Sequence, residues 1–355
     1  MHDPELFLLW IWRVCLVLSA ASLAIACGLA FRRWLEERAR ARKLARRREV
    51  EKLVQTLLAS PLELVPAQIP PLARGDAGAL FSVSLDILRV TRGRDADRML
   101  TLIAAWNLRP HVEKILAGRR RSRQIRALTL LSYLRDPESL GLLLHHLDHP
   151  ATYVQLAALR GIAERGETAH IPKIVDALSR SRTTNVPMLA DILRRFGAPA
   201  VPAVAALAAS SGALLGVRLA STMALGGIGA LEALEPLVGL AADPAPGLRA
   251  AALDSLAKLG HPRAEPAVAR ALADPEARVR AAAARAAGHL GLRGVLPLLA
   301  DALEDMAWEV RYRSADALHA LGAPGVAVLR AASSGETPGS EMSGELLAEK
   351  EGVPA

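Results

Sequence analysis

Aromatic residues make up only 3% of the 355-residue chain, and the aromatic and β-branched side chains that favour pleated sheets are scarce. The apolar content comes mainly from alanine and leucine, the strongest helix formers. An all-α fold follows. Cysteine is nearly absent as well: Cys15 and Cys27 are the two, both inside an N-terminal apolar stretch, so the rest of the chain holds no thiol for a disulfide framework or a thiolate metal site. No phosphate-cradling loop of the Walker type appears, and Gly226-Gly227-Ile228-Gly229 reads as a helix end. No nucleophile elbow is present.

Acidic charge is also short, leaving a net +8, but that excess is local. Nine basic residues, Arg32, Arg33, Arg38, Arg40, Arg42, Lys43, Arg46, Arg47 and Arg48, stand against Glu36 and Glu37, so one short segment holds +7 of the total. The remainder is close to neutral, which argues against a basic array wrapped on DNA, and no nucleic-acid partner is expected. The Ala/Arg-rich composition is that of a high-GC bacterial sequence.

Ahead of the basic segment, Val14 to Phe31 is an 18-residue stretch without a charge. At about 1.5 Å per helical residue it covers roughly 27 Å, close to a bilayer's hydrocarbon thickness. Arg13 can snorkel beside Trp10 and Trp12, and Trp34 marks the opposite interface. Residues 1–31 are therefore expected to be a single transmembrane anchor. The positive-inside rule puts the N-terminus outside and the C-terminal bulk in the cytoplasm, at a bacterial inner membrane. A cleaved export signal, with Ala24-Ile25-Ala26 as the cleavage site or Cys27 as a lipidated cysteine, is the rival; its charge order is reversed here.

Residues 32–60 read as a basic juxtamembrane helix, with Val50, Leu53, Val54, Leu57 and Leu58 at helical spacing. Its nine cations are candidate contacts for anionic lipid headgroups. Pro61, Pro66, Pro70, Pro71, Gly75 and Gly78 mark a linker over 61–78, followed by a helical N-terminal cap over 79–121. A second basic run, Arg119, Arg120, Arg121 and Arg123, with Arg126 beyond it, supplies candidate phosphate contacts; the competing reading is a solvated helix start.

From there a fixed period governs the chain. Gly229, Gly260, Gly291 and Gly322 recur every 31 residues, as do Val186, Val217, Leu248, Val279 and Val310. The last four of these each precede an arginine, Arg218, Arg249, Arg280 and Arg311. A period of this length signals stacked helix pairs. Each unit reads as a first helix, a glycine stop and a second helix with proline near its start, as at Pro172, Pro202, Pro236, Pro266 and Pro297. The final unit has Val328 in that place.

This pattern, clearest in Ala-Asp-Pro-Glu-Ala-Arg-Val-Arg-Ala-Ala-Ala at 273–283, resembles the HEAT repeats of the short bilin-lyase-like kind over 122–333. The resemblance implies an α-solenoid and a ladder of hydrogen bonds between Asp243 and Arg249, Asp274 and Arg280, and Asp305 and Arg311. The chain also resembles deoxyhypusine hydroxylase in its short repeats, but no histidine here is followed by the glutamate of that family's iron-binding pairs. His145, His146 and His149 form the one dense histidine cluster, beside Asp148, without a second cluster to complete a site. No metal, cofactor or catalytic residue is expected. The polar tail, 334–355, is expected to be disordered.

Together these features predict a membrane-anchored HEAT-repeat adaptor, not an enzyme, whose second helices dock a protein partner for an envelope polysaccharide or secretion assembly. The alternatives are a lyase-like enzyme or small-ligand binder on the concave face, and a membrane-associated nucleic-acid binder. For the topology, a reporter that works only in the cytoplasm is expected to be active when fused at the C-terminus. Activity of a periplasm-only reporter at the same place would reverse the orientation.

Overall fold

The computed structural model describes residues 4–60, 69–73, 75–179 and 185–351, and every regular element among them is helical. The chain forms two compact units, divided between Leu130 and Leu131. The first contains α1 (Pro4–Ala59), α2 (Ala77–Val90), α3 (Arg94–Ala105), α4 (Arg109–Leu116) and most of α5 (Arg121–Tyr133). Helix α1 is continuous, as its unbroken run without Pro after residue 4 allows. Its last turns pack into the first unit. Val50 and Val54 are buried as α1 packs on α2 and α3, while Arg98 donates to the Leu57 carbonyl at 2.8 Å. Leu80, Leu85, Met99 and Leu102 complete this core.

The anchor expected at 1–31 falls largely on residues whose side chains, at 4–11, 13–15, 17–21 and 24, lie outside the described set. Among the described residues, no single helix is long and apolar enough to cross a membrane. The expected linker lies outside the described residues at 61–68 and 74, and Ala77 and Gly78 at its end already belong to α2.

The second unit is a succession of helix pairs. After α6 (Pro137–His145) come α7 (Thr152–Arg165) with α8 (Ile171–Ser179), α9 (Val186–Arg194) with α10 (Val201–Ala209), and α11 (Leu215–Ile228) with α12 (Leu234–Leu240). Then follow α13 (Pro246–Leu259) with α14 (Glu265–Ala271), α15 (Ala277–Leu290) with α16 (Leu296–Asp301), and α17 (Trp308–Ala320) with α18 (Ala323–Ala332). The periodic Val217, Leu248, Val279 and Val310 are all fully buried, which explains why an apolar residue recurs at that interval. Successive first helices also approach closely: a Cβ on Gly226 would lie 2.5 Å from the Ser255 Cβ, and one on Gly288 would lie 2.9 Å from the Ala317 Cα.

The recurring glycines do two jobs. Gly229, Gly260 and Gly291 take left-handed conformations, with φ of 70°, 72° and 66°, and end the first helices. Gly322, at φ 77° and ψ −150°, instead stands before α18, which starts at once without the short 3₁₀ turn that precedes α12, α14 and α16. That conformation is open essentially to glycine alone.

Of the tail expected to be disordered over 334–355, Pro338–Glu351 instead form α19, and 352–355 lie outside the described residues. Met342, Leu346 and Leu347 are buried against the core of the last repeats, and Lys350 pairs with Asp316 at 3.3 Å. These three well-spaced side chains cover the apolar face of the α17–α18 pair. Leu346→Ala is expected to lower stability by about 2–4 kcal/mol. An unchanged thermal melt would separate α19 from the core.

Candidate functional site

The ladder is present, with different partners from those expected. Each carboxylate accepts from the arginine of the preceding unit: Arg218 reaches Asp243 at 2.5 Å, Arg249 grips Asp274 through Nε and Nη2 at 2.8 Å each, and Arg280 grips Asp305 at 2.6 and 2.8 Å. Pairs six residues apart meet through the backbone instead. The Nη1 atoms of Arg249, Arg280 and Arg311 donate to the carbonyls of Asp243, Asp274 and Asp305 at 2.8–2.9 Å. The Oδ1 of each aspartate also caps its own loop, accepting from the N–H of Ala245, Glu276 or Ala307, and in Asp274 and Asp305 it accepts from the arginine Nη2 as well. Every rung therefore ties three points of two adjacent units. Arg218 joins the ladder as its first donor, and Arg311 closes it with its Nε buried and without a partner.

The earlier units use another device. Gln124 donates to the Leu116 and Gly118 carbonyls at 2.9 Å, and Gln155, 31 residues on, donates to the Leu147 carbonyl at 2.7 Å. Their spacing was the sequence signal for this substitution. Arg165, almost fully enclosed, donates to the Leu134 and Asp136 carbonyls.

A groove of about 670 Å³ runs across the first helices α9, α11, α13 and α15 to the start of α17. Its floor includes Leu219, Met223, Gly247, Ala251 and Ala281. Small residues on α13 and α15 leave this space. An Asp254–Arg285 ion pair crosses the groove, with Lys258, Arg278 and Glu309 on its rim.

The histidine cluster is structural in its contacts. His146 is buried with Nδ1 2.8 Å from the Leu142 carbonyl, and His149 Nδ1 accepts from the Ala151 N–H at 3.0 Å where α7 begins. Burial, with the neighbouring His145 and His149, holds the His146 imidazole below its ordinary value despite that carbonyl. Among the described residues no group of three or more His, Cys, Asp or Glu side chains is arranged to hold a metal ion.

The basic residues divide. Arg32 and Arg33 pair along α1 with Glu36 and Glu37, and Arg38 lies 4.3 Å from the Trp34 ring centroid. Arg46 and Arg47 turn to α2, pairing with Asp76 at 3.1 Å and Asp86 at 2.6 Å. Arg40 approaches Glu36 at 3.8 Å. Arg42, Lys43 and Arg48 are exposed, as are Arg119, Arg120, Arg121 and Arg123.

Residues 215–276, 234–319 and 265–336 match the family model of HEAT repeats. These matches show HEAT repeats over 215–336, and the succession of helix pairs in the second unit is consistent with an α-solenoid. Solved structures of similar fold include human deoxyhypusine hydroxylase in complex with glycerol, at 19% identity over 78% of this chain and 97% of the other, with a TM-score of 0.32. A Kap121p mutant matches at 11% identity over 77% of this chain, with a TM-score of 0.45; the match spans 37% of that longer protein. An engineered protein matches at 20% identity over 84% and 88% of the two chains, with a TM-score of 0.37. No curated protein gives a significant match to the sequence.

The ladder carboxylates give the array a defined acid response. For Asp305 the Arg280 hydrogen bond outweighs burial; for Asp274 burial pushes upward but the Arg249 hydrogen bond, the Glu276 N–H and nearby guanidinium charges outweigh it. Both carboxyls titrate below their ordinary range. The unfolded chain therefore takes up protons first, so this stabilisation is complete above about pH 4 and is lost as pH falls through the folded values. Asp274→Asn and Asp305→Asn should each cost about 1–3 kcal/mol at neutral pH and flatten the acid limb of stability. Thermal melts across acidic pH check this, and an acid limb like the parent's would remove the ladder as its cause.

Proposed function

We propose that this chain is a scaffold whose first-helix groove docks a protein partner, with α1 holding the array at the cytoplasmic face of a bacterial inner membrane. The observation that carries the docking reading is the groove itself: it crosses several repeats, offers Leu219 and Met223 beside small residues, and is edged by charges of both signs. Such a surface gathers many modest contacts over a large area, as protein interfaces do.

The anchoring reading is supported by the apolar run Val14 to Phe31 and by side chains along α1 that stay exposed, among them Trp12, Leu16, Leu23, Ile25, Leu29 and Phe31. The cations that follow favour the cytoplasmic side and contact with anionic headgroups. The partner is then itself membrane-associated, and an envelope polysaccharide or secretion assembly fits that location. The reading requires no cofactor and no nucleic acid.

A photo-crosslinking residue placed at Lys258 is expected to capture one stoichiometric membrane partner in native membranes, and Ala251→Glu to abolish capture without changing the melt. Equal capture from an exposed site away from the groove, or none from the groove, would overturn the docking reading.

A further inference from the structure

The two basic runs, separated by more than seventy residues of sequence, meet in the first compact unit. Lys43, Arg46 and Arg47 of α1 and Arg123 and Arg126 of α5 line a single groove of about 430 Å³, with residues of α2 and α4 forming the rest. That size lies within the range of small-ligand sites. Two of the five cations are already matched: Arg46 pairs with Asp76 and Arg47 with Asp86. Among the described residues no carboxylate pairs with Lys43, Arg123 or Arg126.

The floor has a different character. Phe81 is buried, with Arg126 lying 5.6 Å from its ring centroid and the His111 ring 6.0 Å away; Ile115, Leu44 and Ala79 continue the apolar surface. Gly78 lies beside His111 in the groove wall. Burial, then Lys114 and Arg123, hold His111 below its ordinary value, so the groove's charge comes from lysine and arginine at neutral pH.

We propose that this groove binds a phosphate-bearing amphiphile, its anionic head among Lys43, Arg123 and Arg126 and its apolar part on Phe81 and Ile115. Arginine favours phosphate because its planar fork donates two hydrogen bonds to one group. An apolar floor under unpaired cations selects against a fully hydrated anion, for which the same charges on an open surface would serve. The site lies within the first unit and does not depend on the docking groove of the second.

The test uses the full chain in phosphatidylcholine nanodiscs, titrated by calorimetry with hexyl phosphate, inorganic phosphate and hexanol. Hexyl phosphate is expected to bind at least tenfold more tightly than either of the others. Arg123→Glu and Lys43→Glu, both at exposed positions, should each weaken it about tenfold or more. Arg119→Glu makes the same charge change outside the groove and should leave binding within about twofold of the parent. Parity between hexyl and inorganic phosphate, or an equal loss in Arg119→Glu, would overturn the site. So would binding that persists in both groove variants. A second arm adds phosphatidate to the nanodiscs. Competition with hexyl phosphate identifies a lipid headgroup as the source, and undiminished hexyl phosphate binding identifies a free phosphorylated molecule.

Discussion

A helix pair of this kind cannot bury its own apolar face, and the repeating part of the molecule follows from that constraint. Each first helix must be covered by the next one, so the residues that meet across the seam recur at one interval. Val217, Leu248, Val279 and Val310 are enclosed for this reason, and Gly226 and Gly288 mark where backbones approach too closely for a side chain. The tail obeys the same constraint. Where the succession of pairs ends, α19 supplies the missing cover.

Polar groups at the seam then decide how one unit is set on the next. Burying a guanidinium without an acceptor is costly, and burying it between a carboxylate and a backbone carbonyl is not. The C-terminal units solve this with Arg218, Arg249 and Arg280, each answered by an aspartate 25 residues on. Glutamine does related work in Gln124 and Gln155, without a net charge to neutralise. The more regular half of the array is thus held by ionic clips, and the earlier part by side chains that donate to backbone carbonyls, Gln124, Gln155 and the enclosed Arg165.

Periodicity made the helix pairs, their glycine stops and the ladder residues legible in the sequence. It did not reveal which aspartate meets which arginine, because the six-residue spacing is conspicuous along the chain while the carboxylate contact spans the seam between units. The tail was misread because its Ser, Gly and Glu content obscured Met342, Leu346 and Leu347, whose burial depends on a surface offered by α17 and α18. The groove across the first helices was not legible either: the small residues that open it, Gly247, Ala251 and Ala281, look like ordinary helix residues when read singly. The meeting of Lys43 with Arg123 was hidden for a simpler reason: each run alone reads as solvated charge, and only folding brings them to one groove.

The direction of the ionic clips has a further consequence for how such a molecule changes over generations. A C-terminal unit offers a carboxylate to its predecessor and a guanidinium to its successor. Removing one whole 31-residue module, or copying it in tandem, leaves every junction with a matched donor and acceptor. Length is therefore a property that this half of the protein can alter without redesigning its seams, provided that the module beneath α19 stays in place.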